Sequence, residues 1–285
     1  MSQPIYTTIT ARILALLDAG TVPWQRPWSV ETGAPRNLFS QQPYHGVNVW
    51  LLGSLGYAAP FWATFQQVKA AGGTVKRGEH GTPVVFWKTY EKAVPDRDTP
   101  DKRFVLRGYT VFNASQCEGI AVPVIPTTPN PFTPIERCEK LIGQYPLPPT
   151  LVHGRDRACY QPGSDTVLMP DPTAFRVPAE YYSTLFHELT HSTGHTSRLH
   201  RATLADAVRF GDVSYAREEL VAEMGATFLC GVCGIENATV TNSAAYLAGW
   251  KKALKDDPTC IVIAASQAEK AANYIQGLTR EKEGV

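Results

Sequence analysis

Residues 187–191 read His-Glu-Leu-Thr-His, and no other feature narrows the fold so far. Histidines at i and i+4 share one side of an α-helix a turn apart, so the segment has to be helical for the pair to act together. Both imidazoles then reach one metal ion. Glu188 falls at their flank, placed to act as general base on a metal-bound water. The flanking residues agree with a helix over 178–193. Pro178 suits the first turn, Glu180 suits the positive N-terminal end, and Gly194 suits a C-cap. At about 100° per residue, Tyr182, Leu185, Phe186 and Leu189 form an apolar side roughly opposite the histidines.

A catalytic zinc takes three protein ligands and leaves one position open. The metzincin pattern places its third histidine six residues after the second. Here that position is Ser197, and His195 comes two residues early, so His195 is expected on the rim. A carboxylate from a second helix is the remaining source. Residues 215–229 are apolar around most of a helical circumference, through Leu220, Val221, Ala222, Met224, Ala226, Phe228 and Leu229, and such a helix is buried. Glu219 and Glu223 occupy the remaining strip at i, i+4, and buried carboxylates need a cation or donors nearby. Glu219 on the metal, with Glu223 steering a ligand histidine, satisfies both. The swapped assignment, Glu223 on the metal, stays open. Glu218 is expected to point away and to pair with arginine or water at the surface.

The 285 residues suffice for two domains, and no stretch approaches the roughly 20 apolar residues of a membrane span. No basic segment followed by an apolar core opens the chain, so a cytoplasmic protein is expected, with no membrane partner. Six scattered cysteines fit free thiols. Cys230-Gly-Val-Cys233 lacks the second pair of a zinc ribbon and is expected to pack at the end of the buried helix. A net charge of +1 hides an asymmetry: 12 Lys/Arg against 8 Asp/Glu over 1–126 (+4), and 15 against 18 over 127–285 (−3). Prolines at 123, 126, 129, 131 and 134 mark an extended connection. The expected organisation is therefore an N-terminal domain over 1–126, a linker over 127–133 and a metal-bearing domain over 134–285.

The N-terminal half reads as α+β: a helix over 5–19, a proline-rich loop over 23–28, and strands over 82–88 and 103–113. It holds five of the six tryptophans. Single-stranded nucleic acid is bound by aromatic platforms for bases and cations for phosphates. The candidates are Trp24, Arg26, Trp28, Arg36, Tyr44, Asn48, Lys76 and Arg77. A substrate-recognition or structural domain is the alternative that composition leaves open.

Several motifs in one order resemble the ArdC-type antirestriction family over nearly the whole chain. They are Ile-Tyr-x-x-Ile-Thr (5–10), Val-Pro-Trp-Gln-Arg-Pro-Trp (22–28), Tyr-His-Gly-Val-Asn (44–48), Trp-Ala-Thr-Phe (62–65), the glycine-rich 72–81 and Val-Phe-Asn (111–113). His-Glu-Leu-Thr-His-Ser-Thr-Gly-His (187–195), Ser-Arg-Leu (197–199) and Glu-Glu-Leu-Val-Ala-Glu (218–223) continue the match. The resemblance implies a two-domain α+β fold: an N-terminal single-stranded-DNA-binding domain and a C-terminal zincin-like metallopeptidase domain, similar in domain logic to SprT-like proteases. It implies protection of incoming plasmid DNA during conjugation. The expected metal is Zn2+, or another divalent ion such as Mn2+, held by His187, His191 and Glu219 with Glu188 catalytic. The alternatives are a DNA-guided protease that cleaves DNA-associated proteins, and a general metallopeptidase with a protein-binding N-terminal domain. An unidentified protein substrate accompanies each peptidase reading.

Overall fold

The computed structural model describes residues 3–23, 34–92, 101–124, 134–205, 213–235 and 244–278. Helix α1, Gln3–Asp18, opens the chain. Ile9, Ile13 and Leu17, one turn apart, are all buried and give it a single core face. Strand β1 (Arg36–Asn37), helix α2 (Val47–Gly53), strand β2 (Phe61–Thr64), helix α3 (Phe65–Ala70) and strand β3 (Thr74–Val75) follow. Thr64 and Gln67 start α3 with a reciprocal capping box. The long strands β4 (Thr82–Lys92) and β5 (Asp101–Asn113) pair antiparallel, and β6 (Cys117–Glu118) pairs with β3. The main sheet has the order β1-β2-β5-β4, with β1 parallel to β2 and the other pairs antiparallel.

The next element is α4, Pro134–Ile142. A small sheet follows, of β7 (Thr150–Val152), β8 (Cys159–Gln161) and β9 (Thr166–Leu168) in the order β7-β9-β8. Then come α5 (Pro178–Ser192), the short α6 (Ala202–Ala205), α7 (Val213–Cys233), α8 (Ala244–Asp256) and α9 (Cys260–Ile275). Helix α7 is the spine of these helices and packs against α4, α5, α6, α8 and α9. Its run from Glu218 to Cys230 is buried residue after residue. Cys230 and Cys233 are buried in its last turns, and the cysteines of the described residues are free thiols.

The two domains meet in one apolar core. Ile9, Ile13, Trp50 and Val85 of the first belong to the same cluster as Leu220, Met224, Phe228 and Ala265 of the second. The Trp50 and Phe228 ring centroids are 4.4 Å apart. Polar links reinforce the junction. Gly46 N–H at the start of α2 donates to Glu269 Oε2 of α9 (3.1 Å), and Thr10 Oγ1 donates to Pro258 O (2.7 Å). Among the described residues no helix is long and apolar enough to cross a membrane.

Candidate metal centre

Helix α5 starts with Pro178 in its first turn, as its sequence predicts, and Glu180 accepts a hydrogen bond from Arg176 N–H (3.1 Å). Tyr182, Leu185, Phe186 and Leu189 pack into the core. That fixes the opposite edge toward α7, where His187 and His191 face the carboxylates. The expected glycine cap at the other end does not form. Thr193 is the cap in right-handed helical conformation, and Gly194 has no left-handed backbone. Gly194 instead makes room: a Cβ there would lie 3.0 Å from Arg201 Nη2. Arg201 closes the helix, donating through Nη2 to Thr190 O (2.8 Å) and His191 O (3.3 Å).

His187 Nε2 and His191 Nε2 stand 3.1 Å apart. Glu219 spans them, with Oε2 3.5 Å from His187 Nε2 and Oε1 3.5 Å from His191 Nε2. One donor atom from each of the three lies within 4.8 Å of the others. A tetrahedral ion with metal–nitrogen bonds of roughly 2.0–2.1 Å separates neighbouring ligands by about 3.3 Å. The ring nitrogens and the carboxylate therefore fit a divalent ion with little movement. Glu188 is buried on the same helix edge.

The outward nitrogens also face carboxylates of α7. His187 Nδ1 lies 3.6 Å from Glu223 Oε1, and His191 Nδ1 lies 3.2 Å from Glu218 Oε1. The geometry thus brings Glu219 between the two inner nitrogens and Glu223 behind one ring. Glu218 corrects the sequence expectation: it is 2 % exposed, not at the surface. Arginine is indeed its partner. Arg201 Nη2 donates to Glu218 Oε1 (2.6 Å) and Nε to Oε2 (3.1 Å), while Thr203 Oγ1 donates to Oε2 (2.5 Å). Neither Arg201 nor the inward role of Glu218 follows from residue spacing in the sequence. The available signal was the helix itself, since a helix apolar on nearly every side leaves no solvent face for a carboxylate.

Electrostatics follow from this crowding. Burial alone would lower both imidazoles, but Glu219 and Glu223 raise His187, and Glu218 and Glu219 raise His191 well above the usual histidine value. Burial opposes ionisation of Glu218, yet His191 and Arg201 hold it down at about 2. Glu219 is likewise lowered by the two histidines against its burial. Burial pushes Glu223 up to about 7.

Strands β8 and β9 form an antiparallel hairpin, with β8 at one edge of the small sheet. Arg198 ties it to the metal helix. Its Nε donates to Ser192 O (2.9 Å), and its guanidinium clasps Asp165 at the hairpin turn, with Nη1 2.9 Å from Oδ2. His195 is half-buried with Nδ1 2.8 Å from Ser197 Oγ.

The expected DNA contacts divide. Trp24, Arg26 and Trp28 lie outside the described residues. Arg77 and Lys76 are exposed, with Lys76 Nζ donating to Ser115 O (2.9 Å), and Arg36 is half-buried in β1. Two candidates are corrected by burial. Tyr44 is 4 % exposed and sits in a core cluster with Leu52, Trp62, Val84 and Val111. Asn48 is 3 % exposed, and its amide pairs with Val85 as a strand neighbour would: Nδ2 donates to Val85 O (2.7 Å) and Oδ1 accepts from Val85 N (2.8 Å). The segment 44–48 anchors α2 to the free edge of β4.

Residues 3–112 match the model of the N-terminal domain of anti-restriction factor ArdC, and residues 136–267 match that of zincin-like metallopeptidases. The Mn(II)-bound crystal structure of the antirestriction ArdC protein from plasmid R388 is similar at a TM-score of 0.76 and 36 % identity, covering 98 % of this chain and 99 % of that one. The metal-free structure of the same protein gives 0.74 and 37 %, covering 95 % and 96 %. Uncharacterized protein y4eC of Sinorhizobium fredii (strain NBRC 101917 / NGR234) is 35 % identical, covering 95 % of this chain and 91 % of its own length. DNA primase TraC of Escherichia coli is 36 % identical over 96 % of this chain, which spans only 27 % of that longer protein. With both halves matched in order and the fold shared end to end, the chain belongs to the ArdC antirestriction family.

Proposed function

We propose that this protein is an antirestriction factor that binds single-stranded DNA and protects plasmid DNA entering a cell by conjugation, and that its second domain is a metal-dependent peptidase. The observation that carries the reading is the convergence of His187, His191 and Glu219 beside Glu188, in a domain that shares its core with an ArdC-type N-terminal domain. Similarity to the two structures of one antirestriction protein, along nearly the whole of each chain, supports it, as does the stretch shared with a protein named as a DNA primase.

His187, His191 and Glu219 would hold the ion. Two imidazoles and a carboxylate suit Zn2+, and Mn2+ also accepts such a set. When bound, the metal supplies Lewis-acid activation of water and of a peptide carbonyl. The chain's own residues do the rest. Glu188 takes a proton from the attacking water and returns it to the leaving amine. Glu218 and Glu223 orient the two rings from behind. The exposed edge of β8, held to α5 through Arg198, accepts an extended peptide as an added strand.

A second reading, a DNA-guided protease acting on DNA-bound proteins, is favoured by Glu188, for which a purely structural metal site has no use. A restriction-challenged plasmid-transfer assay with Glu188→Ala separates the two. The variant should retain metal and DNA affinity, lose peptide hydrolysis and keep at least part of the protection. Protection at the level of a deletion, with DNA affinity intact, would assign the role to proteolysis instead. Failure of the intact chain to bind single-stranded DNA would leave a peptidase with a protein-binding N-terminal domain.

A further inference from the structure

Strands β4 and β5 outrun the rest of their sheet. β2 pairs with β5 only at Val111, Phe112 and Asn113, whereas β4 follows β5 from Thr82↔Val111 to Lys92↔Asp101. A two-stranded ribbon is marginal in water unless one face packs on something else. One face does. Val85 and Leu106 are buried in the shared core, and Ile5 of α1 lies over Gly108, so closely that a Cβ there would stand 2.0 Å from Ile5 Cδ1.

Alternation turns the intervening residues to the other face. Phe86 pairs directly with Arg107, and Tyr109, opposite Val84, is its diagonal neighbour within reach of an aromatic ring. The Phe86 and Tyr109 centroids are 5.6 Å apart at 73°. Phe86 also leans on buried Tyr44, at 5.9 Å, which supports it from beneath. Yet Phe86 is 43 % and Tyr109 44 % exposed, and Arg107 is exposed beside them. Two rings held in fixed geometry and left open to solvent are a recognition surface.

We propose that Phe86 and Tyr109 are a stacking platform for the bases of single-stranded nucleic acid, with Arg107 at its edge for the phosphates. This rests on the reading of the N-terminal domain as DNA-binding and locates the contact. Charge complementarity supports the occupant: β4 and β5 carry Lys88, Lys92, Lys102, Arg103 and Arg107 against Glu91 and Asp101, a balance of 5 − 2 = +3. Unpaired bases are required, because a duplex stacks its base faces on one another and offers none to a ring. The platform takes over the task that sequence alone gives to Tyr44 and Asn48, which the fold uses internally.

The test uses the full-length chain. Binding of a fluorescein-labelled oligothymidylate is followed by anisotropy. Phe86→Leu and Tyr109→Leu keep apolar bulk but remove the ring, and each should weaken binding about 5- to 150-fold, the range for loss of one stacked base. Phe86→Trp should retain it. Metal content and melting temperature report whether each variant is folded. A second measurement needs no variant: photo-cross-linking of the wild-type chain to 5-iodouracil-substituted oligonucleotide, with cross-links expected at Phe86 or Tyr109. Undiminished affinity in both leucine variants, or cross-links confined to other segments, overturns the platform while leaving the DNA-binding reading intact. A wild-type chain that does not bind the oligonucleotide overturns both.

Discussion

Gly225 of α7 lies against Thr190 of α5 so closely that a Cβ at residue 225 would stand 2.4 Å from Thr190 Cγ2 and 2.7 Å from its hydroxyl oxygen. That missing carbon sets how near the carboxylate-bearing helix comes to the histidine-bearing one. Gly225→Ala should force the helices apart, costing about 1–3 kcal/mol of stability by overpacking. Metal affinity should fall roughly ten-fold, the lower scale for a perturbed coordination shell. Thr190→Ser removes the clashing methyl, so the double variant should recover part of both losses. Urea unfolding and metal titration check this, and unchanged metal affinity in Gly225→Ala would show that helix spacing does not control the site.

Glu218 and Arg201 form a buried pair, so removing one partner leaves the other charged and unmatched. Glu218→Ala should cost about 3–5 kcal/mol of stability. Replacing both by apolar residues, Glu218→Leu with Arg201→Met, should cost markedly less than the single change. The pH dependence has a definite sign. The Glu218 carboxyl falls from 4.5 to about 2 on folding. Its contribution is present above about pH 4.5 and lost as pH falls through about 2. The wild-type acid-unfolding curve should therefore flatten over that window in Glu218→Leu/Arg201→Met. Superimposable curves would deny the pair this role.

Glu219→Ala should abolish stoichiometric metal, since Glu219 alone spans both inner nitrogens. Glu223→Ala should weaken binding about 10- to 100-fold while leaving a full site at saturating metal, as expected for a group behind a ligand. Elemental analysis and competition with a chelator distinguish them. Full retention in Glu219→Ala with loss in Glu223→Ala would reverse the assignment.

Much of the candidate centre was legible because periodicity alone orients residues on a helix. His187 and His191 at i, i+4, and Glu219 and Glu223 on an otherwise apolar helix, needed only the 3.6-residue turn. What stayed hidden depends on distance in sequence. Arg201 reaches Glu218 across 17 residues, and its guanidinium needs the space that Gly194 vacates. A glycine after a helix reads as a cap, so the local rule gave a reason that the packing replaced. In the N-terminal domain, the polar and aromatic stretch reads as surface, yet Tyr44 and Asn48 are spent on fixing α2. Phe86 and Tyr109 look like ordinary strand interior until burial shows that their face, covered over Val84 and Val111 by the Tyr44 cluster, opens to solvent at the two rings.

Thermal or urea unfolding of the intact chain should show one transition by both far-UV circular dichroism and tryptophan fluorescence, because the core is continuous across the two domains. Trp50→Ala, which empties the contact with Phe228, should destabilise the whole by about 3–5 kcal/mol. Two separated transitions in the wild type would contradict a common core.

Phe228, against which Trp50 rests, belongs to the helix that bears Glu218, Glu219 and Glu223. The N-terminal domain thus touches the element that carries the candidate metal ligand Glu219. Thermodynamics makes any influence across that junction mutual: the factor by which a bound ion alters the hold on a DNA strand is the factor by which the strand alters the hold on the ion. Metal supply and strand occupancy, which vary independently in a cell, would then be registered by this protein as a single variable.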